Sequence, residues 1–236
     1  MAKIIFDIET AGEYFDKMDK TTQKMLTRYI KDNSVEEAEY NKKLEDIKNE
    51  LVFSPLTSRV VAVGVFDDET NKGAVYFQAP GEEMEDFEED GIKYKSMDEK
   101  GVLESFWKVV KHSDEFVSFN GRGFDVPFLM IRSAIHKIRP SKNLLSNRYL
   151  NLQRNFAKHV DLMDQLTFYG AVWKRPNLHM TCRAFGIKSP KEDGVSGDDV
   201  TRLFKEKKYL DIAKYNARDL KSTRELYNYW DKYLRF

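Results

Sequence analysis

The chain has 236 residues, 39 Lys plus Arg against 39 Asp plus Glu, 41% hydrophobic and 33% charged. This balance does not make disorder the default and excludes a wholly basic, histone-like binder, and the single cysteine, Cys182, excludes a disulfide scaffold and a multi-cysteine zinc site. The longest apolar stretch, residues 60–66, is far below the roughly 20 residues of a bilayer helix, and acids at positions 7 and 9 do not suit a signal peptide, so a soluble, cytoplasmic protein is expected.

Residues 3–8 (KIIFDI) are apolar and β-branched and predict a buried strand. Residues 13–50 stand apart: 18 of 38 are charged, and Met18, Met25, Leu26, Tyr29 and Ile30 fit one amphipathic helix, with Ala38, Leu44, Ile47 and Leu51 fitting a second. This predicts a charged helical insertion, either a solvated lid or a substrate or partner contact. Strands follow at 59–67 and 74–79, joined by the turn chemistry of residues 67–73. The acidic run EEMEDFEED at 82–90 reads as a solvated loop. A helix is expected around Val102–Val110, a short strand at 116–119, and a helix over 126–138 that Pro127 opens and Pro140 follows. Later helices are expected at 162–172, 178–186, 198–206 and 209–234. Strands first, then strands interleaved with helices, give an α/β domain with a mixed sheet.

The charge is uneven. Residues 120–190 hold 12 Lys/Arg and 3 Asp/Glu, a net of +9. Interspersed Phe, Tyr and Trp suit a groove that tracks a nucleic-acid backbone while bases stack on rings; the alternative is an ordinary cationic surface.

Three segments carry acids suited to chemistry. Asp7 and Glu9 sit at i and i+2 on an apolar strand, hence on one face, where two carboxylates need a cation or protons to coexist. Oxygen-only ligands favour Mg²⁺ or Mn²⁺. The same D-x-E spacing recurs at Asp67/Glu69 and Asp86/Glu88, but there in a turn and an acidic loop. Asp125 follows Asn120-Gly-Arg-Gly-Phe124 and opens a helix, as a metal ligand or as a helix cap. Tyr215 and Asp219, at i and i+4, share one face of the last helix. Four acids in three segments could hold two divalent ions for phosphodiester hydrolysis.

FDIET, FNGRGFDVPFL and YNARDLKST resemble, in order, the three motifs of DEDD-superfamily 3′–5′ exonucleases, and the tyrosine resembles the DEDDy branch. The segment from Gly194 to Thr223 also resembles stand-alone proteins related to the exonuclease domain of family B DNA polymerases. The resemblance covers residues 1–10 and about 52–235, not 13–50. It implies an RNase H-like fold: a five-stranded mixed sheet flanked by helices, its fifth strand near 159–162, with the insertion after strand 1, all in one domain. It implies two divalent cations, Mg²⁺ with Mn²⁺ substituting, held by Asp7, Glu9, Asp125 and Asp219. Asp7 would bridge both ions, Tyr215 would orient the attacking water, and Thr10, Asn120 and Phe124 would touch the terminal nucleotide. The implied substrate is single-stranded nucleic acid with a free 3′ end, DNA in preference to RNA, cut to nucleoside 5′-monophosphates. His159 and Asp164 match the spacing of the sister DEDDh branch; Tyr215/Asp219 is preferred because its flanks also match and because 158–162 is better used as a strand. The alternative function is an inactive nucleic-acid-binding module on the same fold.

Overall fold

The computed structural model describes residues 2–32, 36–194 and 196–235. Residues 33–35 of the insertion and Val195 of the matching C-terminal segment lie outside the described residues. In chain order, strand β1 (Lys3–Gly12) is followed by helices α1 (Lys20–Asp32) and α2 (Glu37–Glu50). Then come β2 (Ser58–Asp67), β3 (Lys72–Phe77), β4 (Phe87–Glu89), β5 (Ile92–Ser96) and α3 (Glu99–Lys111). The second half alternates: β6 (Glu115–Ser118), α4 (Asp125–Ile135), β7 (Lys158–Asp161), α5 (Leu162–Leu166), α6 (Leu178–Phe185), α7 (Val200–Lys205) and α8 (Tyr209–Tyr233).

The strands form one mixed sheet in the order β4-β5-β3-β2-β1-β6-β7. β1 is an inner strand, antiparallel to β2 and parallel to β6. Side chains alternate across a strand, and β1 is apolar on both faces. Ile4, Phe6 and Ile8 pack with α3 and α4, while Ile5 and Ala11 pack on the opposite side with α8. The sheet is therefore a buried middle layer between helices, and a side chain on β1 must face one core or the other.

Seven strands are present rather than five. β4 lies within the acidic run expected as a loop, and β5 directly follows that run. Asp90 and Gly91 both have positive φ, 52° and 75°, the two-residue turn that Asp-Gly favours in hairpins. It lets Ile92 and Tyr94 bury against the sheet while the acids stay outside. The helix expected over 162–172 is also shorter: α5 ends at Leu166, because Phe168, Tyr169 and Gly170 all turn to positive φ. No helix among the described residues is long and apolar enough to cross a membrane.

A buried ion network fixes α4 to the rest. The Glu99 carboxylate accepts from Arg132 Nε and Nη2 at 2.8 and 2.7 Å, from the Val60 N–H at 2.9 Å, and meets His136 at 2.9 Å. Burial alone would raise the Glu99 pKa; these partners offset it, and the carboxyl is held below its ordinary value. Replacing Glu99 by Ala leaves Arg132 buried without its partner. We expect a loss of about 3–5 kcal/mol in urea denaturation, and a loss below about 1 kcal/mol would show that the network does not clamp α4.

Candidate active site

Asp7 and Glu9 have the parity of Ile5 and Ala11 on β1, so they face α8. β1 and β2 lose register between Glu9 and Thr10, a bulge of the kind that bends a strand beside a site. Opposite them on α8 stand Tyr215 and Asp219, one turn apart. Carboxylate oxygens of Asp7, Glu9 and Asp219 lie within 4.8 Å of one another. Asp125 joins them from the other direction. β6 pairs with β1 only as far as Ile5, leaving the Ile8 N–H to find another acceptor. Asp125 Oδ1 accepts it at 3.1 Å. The residue is the first of α4, and its carboxylate is spent on β1 rather than on capping its own helix.

The four carboxyls are crowded and little exposed. Burial, then Asp219, Asp125 and Glu9, push Asp7 well above the usual carboxylate range. Glu9 is raised likewise, by burial and then by Asp219 and Asp125. Asp125 is pushed up to about 7, mainly by burial. Asp219 also reaches about 7 through burial, although Tyr215, Arg218 and Lys191 draw it down. Burial and the surrounding acids drive the Tyr215 phenol far upward, so it stays neutral and can orient a water but not take its proton. The donor set is all oxygen and carries excess negative charge. It fits hard divalent cations such as Mg²⁺ or Mn²⁺ and does not fit a thiolate- or imidazole-seeking metal.

A cavity of about 690 Å³ opens beside these acids. Thr10 and Phe124 line it, as do Glu45, Lys48 and Asn49 of α2, so the insertion forms part of its wall. Phe53, 62% exposed, sets its ring 6.5 Å from that of Phe124 at the rim. Asn120 is placed differently. It lines a second cavity on the other side of the 120–125 turn, with a positive φ of 63°.

His159 and Asp164 do not reach the acids. His159 is buried, 2.7 Å from Ser118 Oγ and 3.1 Å from the Leu144 carbonyl, and burial lowers its pKa to about 3. Asp164 pairs with Arg148 at 2.6 Å. Asp161 caps α5 and accepts the Asn120 and Arg122 N–H groups at 2.9 Å each, which fixes the turn leading to Asp125.

Sequence reasoning missed Asn216. It is fully buried, and its Nδ2 donates to Asp7 Oδ2 at 2.8 Å. Among the described residues its Oδ1 has no hydrogen-bond partner. Gly64 makes room for it: a Cβ there would lie 2.2 Å from that oxygen and 2.6 Å from Leu220 Cδ1. The available signal was a polar residue amid the apolar positions of a long helix, three residues before Asp219 and so on its face.

A family model described as a predicted 3′–5′ exonuclease related to the exonuclease domain of PolB matches residues 53–234. Among solved structures, the family B DNA polymerase from the hyperthermophilic archaeon Pyrobaculum calidifontis aligns with a TM-score of 0.60 and 18% identity. The alignment covers 97% of this chain and 24% of the polymerase, so the chain spans about a quarter of that protein's length. The likeness extends to the RNase H-like fold. Comparison with curated protein sequences gives no match.

Proposed function

Since the chain belongs to the family of predicted 3′–5′ exonucleases related to the exonuclease domain of PolB, we propose that it hydrolyses single-stranded nucleic acid, DNA in preference to RNA, from the 3′ end to nucleoside 5′-monophosphates. The observation that carries this reading is the convergence of Asp7, Glu9, Asp125 and Asp219 from β1, α4 and α8 in one crowded, oxygen-only cluster.

Asp7, Glu9 and Asp219 would hold one divalent cation, and Asp125 with Asp7 a second. Such cations supply Lewis acidity and neutralise charge on the scissile phosphate. The chain's own groups do the rest. Asn216 fixes the Asp7 carboxylate by its 2.8 Å hydrogen bond. Tyr215 offers a neutral phenol against Asp219 to orient the attacking water. Thr10 and Phe124, on the wall of the 690 Å³ cavity, hold the terminal nucleotide so that attack is in line with the departing 3′-oxygen. The residues involved supply no covalent nucleophile.

The test is a gel of 5′-labelled single-stranded DNA and RNA of one sequence, with Mg²⁺, Mn²⁺ or EDTA. We expect a ladder shortening from the 3′ end, faster on DNA, absent in EDTA, with circular strands intact. Cleavage of circles would make the protein an endonuclease. Binding without cleavage in either metal would make it an inactive nucleic-acid-binding module.

A further inference from the structure

The second cavity, of about 570 Å³, lies across the 120–125 turn from the acids. The turn is shared: Phe124 lines the first cavity, Asn120 and Gly123 the second. Its walls are cationic and aromatic. Arg122, Arg148 and Arg175 line it against two acids, Asp161 and Asp164. Both acids are already engaged, Asp161 by backbone N–H groups and Asp164 by Arg148 and Arg122. Lys174 and Arg175 are exposed, and among the described residues neither forms an ion pair. Trp173 lines the same cavity and is 87% exposed; Phe168, five residues earlier, and Tyr149 are about half exposed.

The segment that leads to Trp173 is anchored. Phe168, Tyr169 and Gly170 keep three successive positive φ angles, of 50°, 57° and 102°. The Tyr169 hydroxyl accepts from the Leu150 N–H at 3.1 Å and from Gln165 Nε2 at 2.9 Å, and its ring packs 4.9 Å from Tyr149. An indole left in water on an anchored loop, beside unpaired cations, combines the two elements of single-strand recognition: a base stacks on the ring while phosphates meet the charges.

We propose that this cavity is a docking platform for the single strand upstream of its 3′ end, with Trp173 stacking on a base and Arg175 and Lys174 meeting the backbone. The inference rests on the exonuclease reading and adds to it a second contact that only longer strands can reach.

Trp107 and Trp230 are 4% and 3% exposed, so intrinsic fluorescence responsive to solvent or ligand reports on Trp173. The full-length protein in EDTA is titrated with oligothymidylate of about 12 nucleotides, within the site sizes of single-strand grooves, and with a trinucleotide. Anisotropy of a labelled strand gives affinity independently. The long strand should quench and shift the Trp173 emission; the trinucleotide should not. Trp173→Ala should weaken the long strand roughly tenfold, the scale of one lost stacked base, and leave the trinucleotide unchanged. Trp173→Phe should restore most of the affinity, and Arg175→Ala should flatten the salt dependence by about 0.7 in log–log slope.

Equal affinity of Trp173→Ala and wild type for the long strand would overturn the platform. So would a Trp173-dependent self-association by sedimentation velocity without any fluorescence response to the oligonucleotide. If the long strand does not bind wild type in EDTA, the platform fails, and the exonuclease reading is decided separately by shortening in Mg²⁺. If the long strand binds through Trp173 but is not shortened in Mg²⁺, the platform stands and the exonuclease reading fails.

Discussion

Replacing Asp219 by Asn should raise the melting temperature of the metal-free protein at pH 8 while abolishing hydrolysis. Asp219 is 7% exposed, its carboxyl is raised to about 7 by burial, and its charge in turn raises Asp7 and Glu9. The sign follows from linkage. A carboxyl whose folded pKa lies above its unfolded value of about 4 holds its proton longer in the native state. Between about pH 4 and 7 the native state binds more protons, so stability falls as pH rises through that window and stays low above it. Asn216, Tyr215, Arg218 and Lys191 offset only part of this without a cation. At about 1.4 kcal/mol for each tenfold change in proton affinity, removing the charge is worth a few kcal/mol at pH 8. For a chain of this size that corresponds to roughly 5–10 °C. His159, buried and neutral with its pKa near 3, acts in the opposite sense below pH 6.5 in wild type and variant alike, so the difference between them isolates Asp219. Differential scanning calorimetry in EDTA should show the gain at pH 8 and its disappearance near pH 4.5, and Mg²⁺ should stabilise wild type more than the variant. A variant that melts at or below wild type at pH 8 would mean that the cluster is not electrostatically strained.

Asp7→Ala should lower single-turnover hydrolysis by about 10³-fold or more without loss of fold. Asp7 lies at the centre of the cluster: it faces Glu9 on its own strand, Asp219 and Asn216 on α8, and the charge of Asp125. A carboxylate serving two cations contributes to both, and several kcal/mol of transition-state stabilisation at 1.4 kcal/mol per tenfold reaches that magnitude. The alanine also removes a crowded charge, so the melting temperature in EDTA should hold or rise. Residual activity above about a tenth of wild type would remove Asp7 from the reaction.

The acids were legible because their spacing matches the periods of the elements that carry them. Asp7 and Glu9 keep the two-residue repeat of β1, Tyr215 and Asp219 the four-residue repeat of α8, and the strand before Asp7 is too apolar for a solvated carboxylate. What is set by distant packing was not legible. Asn216 has meaning only once Gly64, on β2, is seen to leave it room. The role of α2 as a cavity wall depends on where the insertion folds back. The β4–β5 hairpin was hidden because Glu and Asp dominated the segment, although Asp90-Gly91 is a strong local turn signal. The placement of Asn120 away from the first cavity follows from its left-handed backbone, which no spacing rule reports.

β1 is flanked on both edges and covered on both faces. In hydrogen-exchange language such a strand is expected in the cooperative unit that opens only with the fold as a whole. The repulsion among the acids is therefore not relieved by a local loop swinging aside. It is borne by the global folding equilibrium, so on the reading proposed above a cation held by the four side chains would lengthen the protection of every amide of the central sheet.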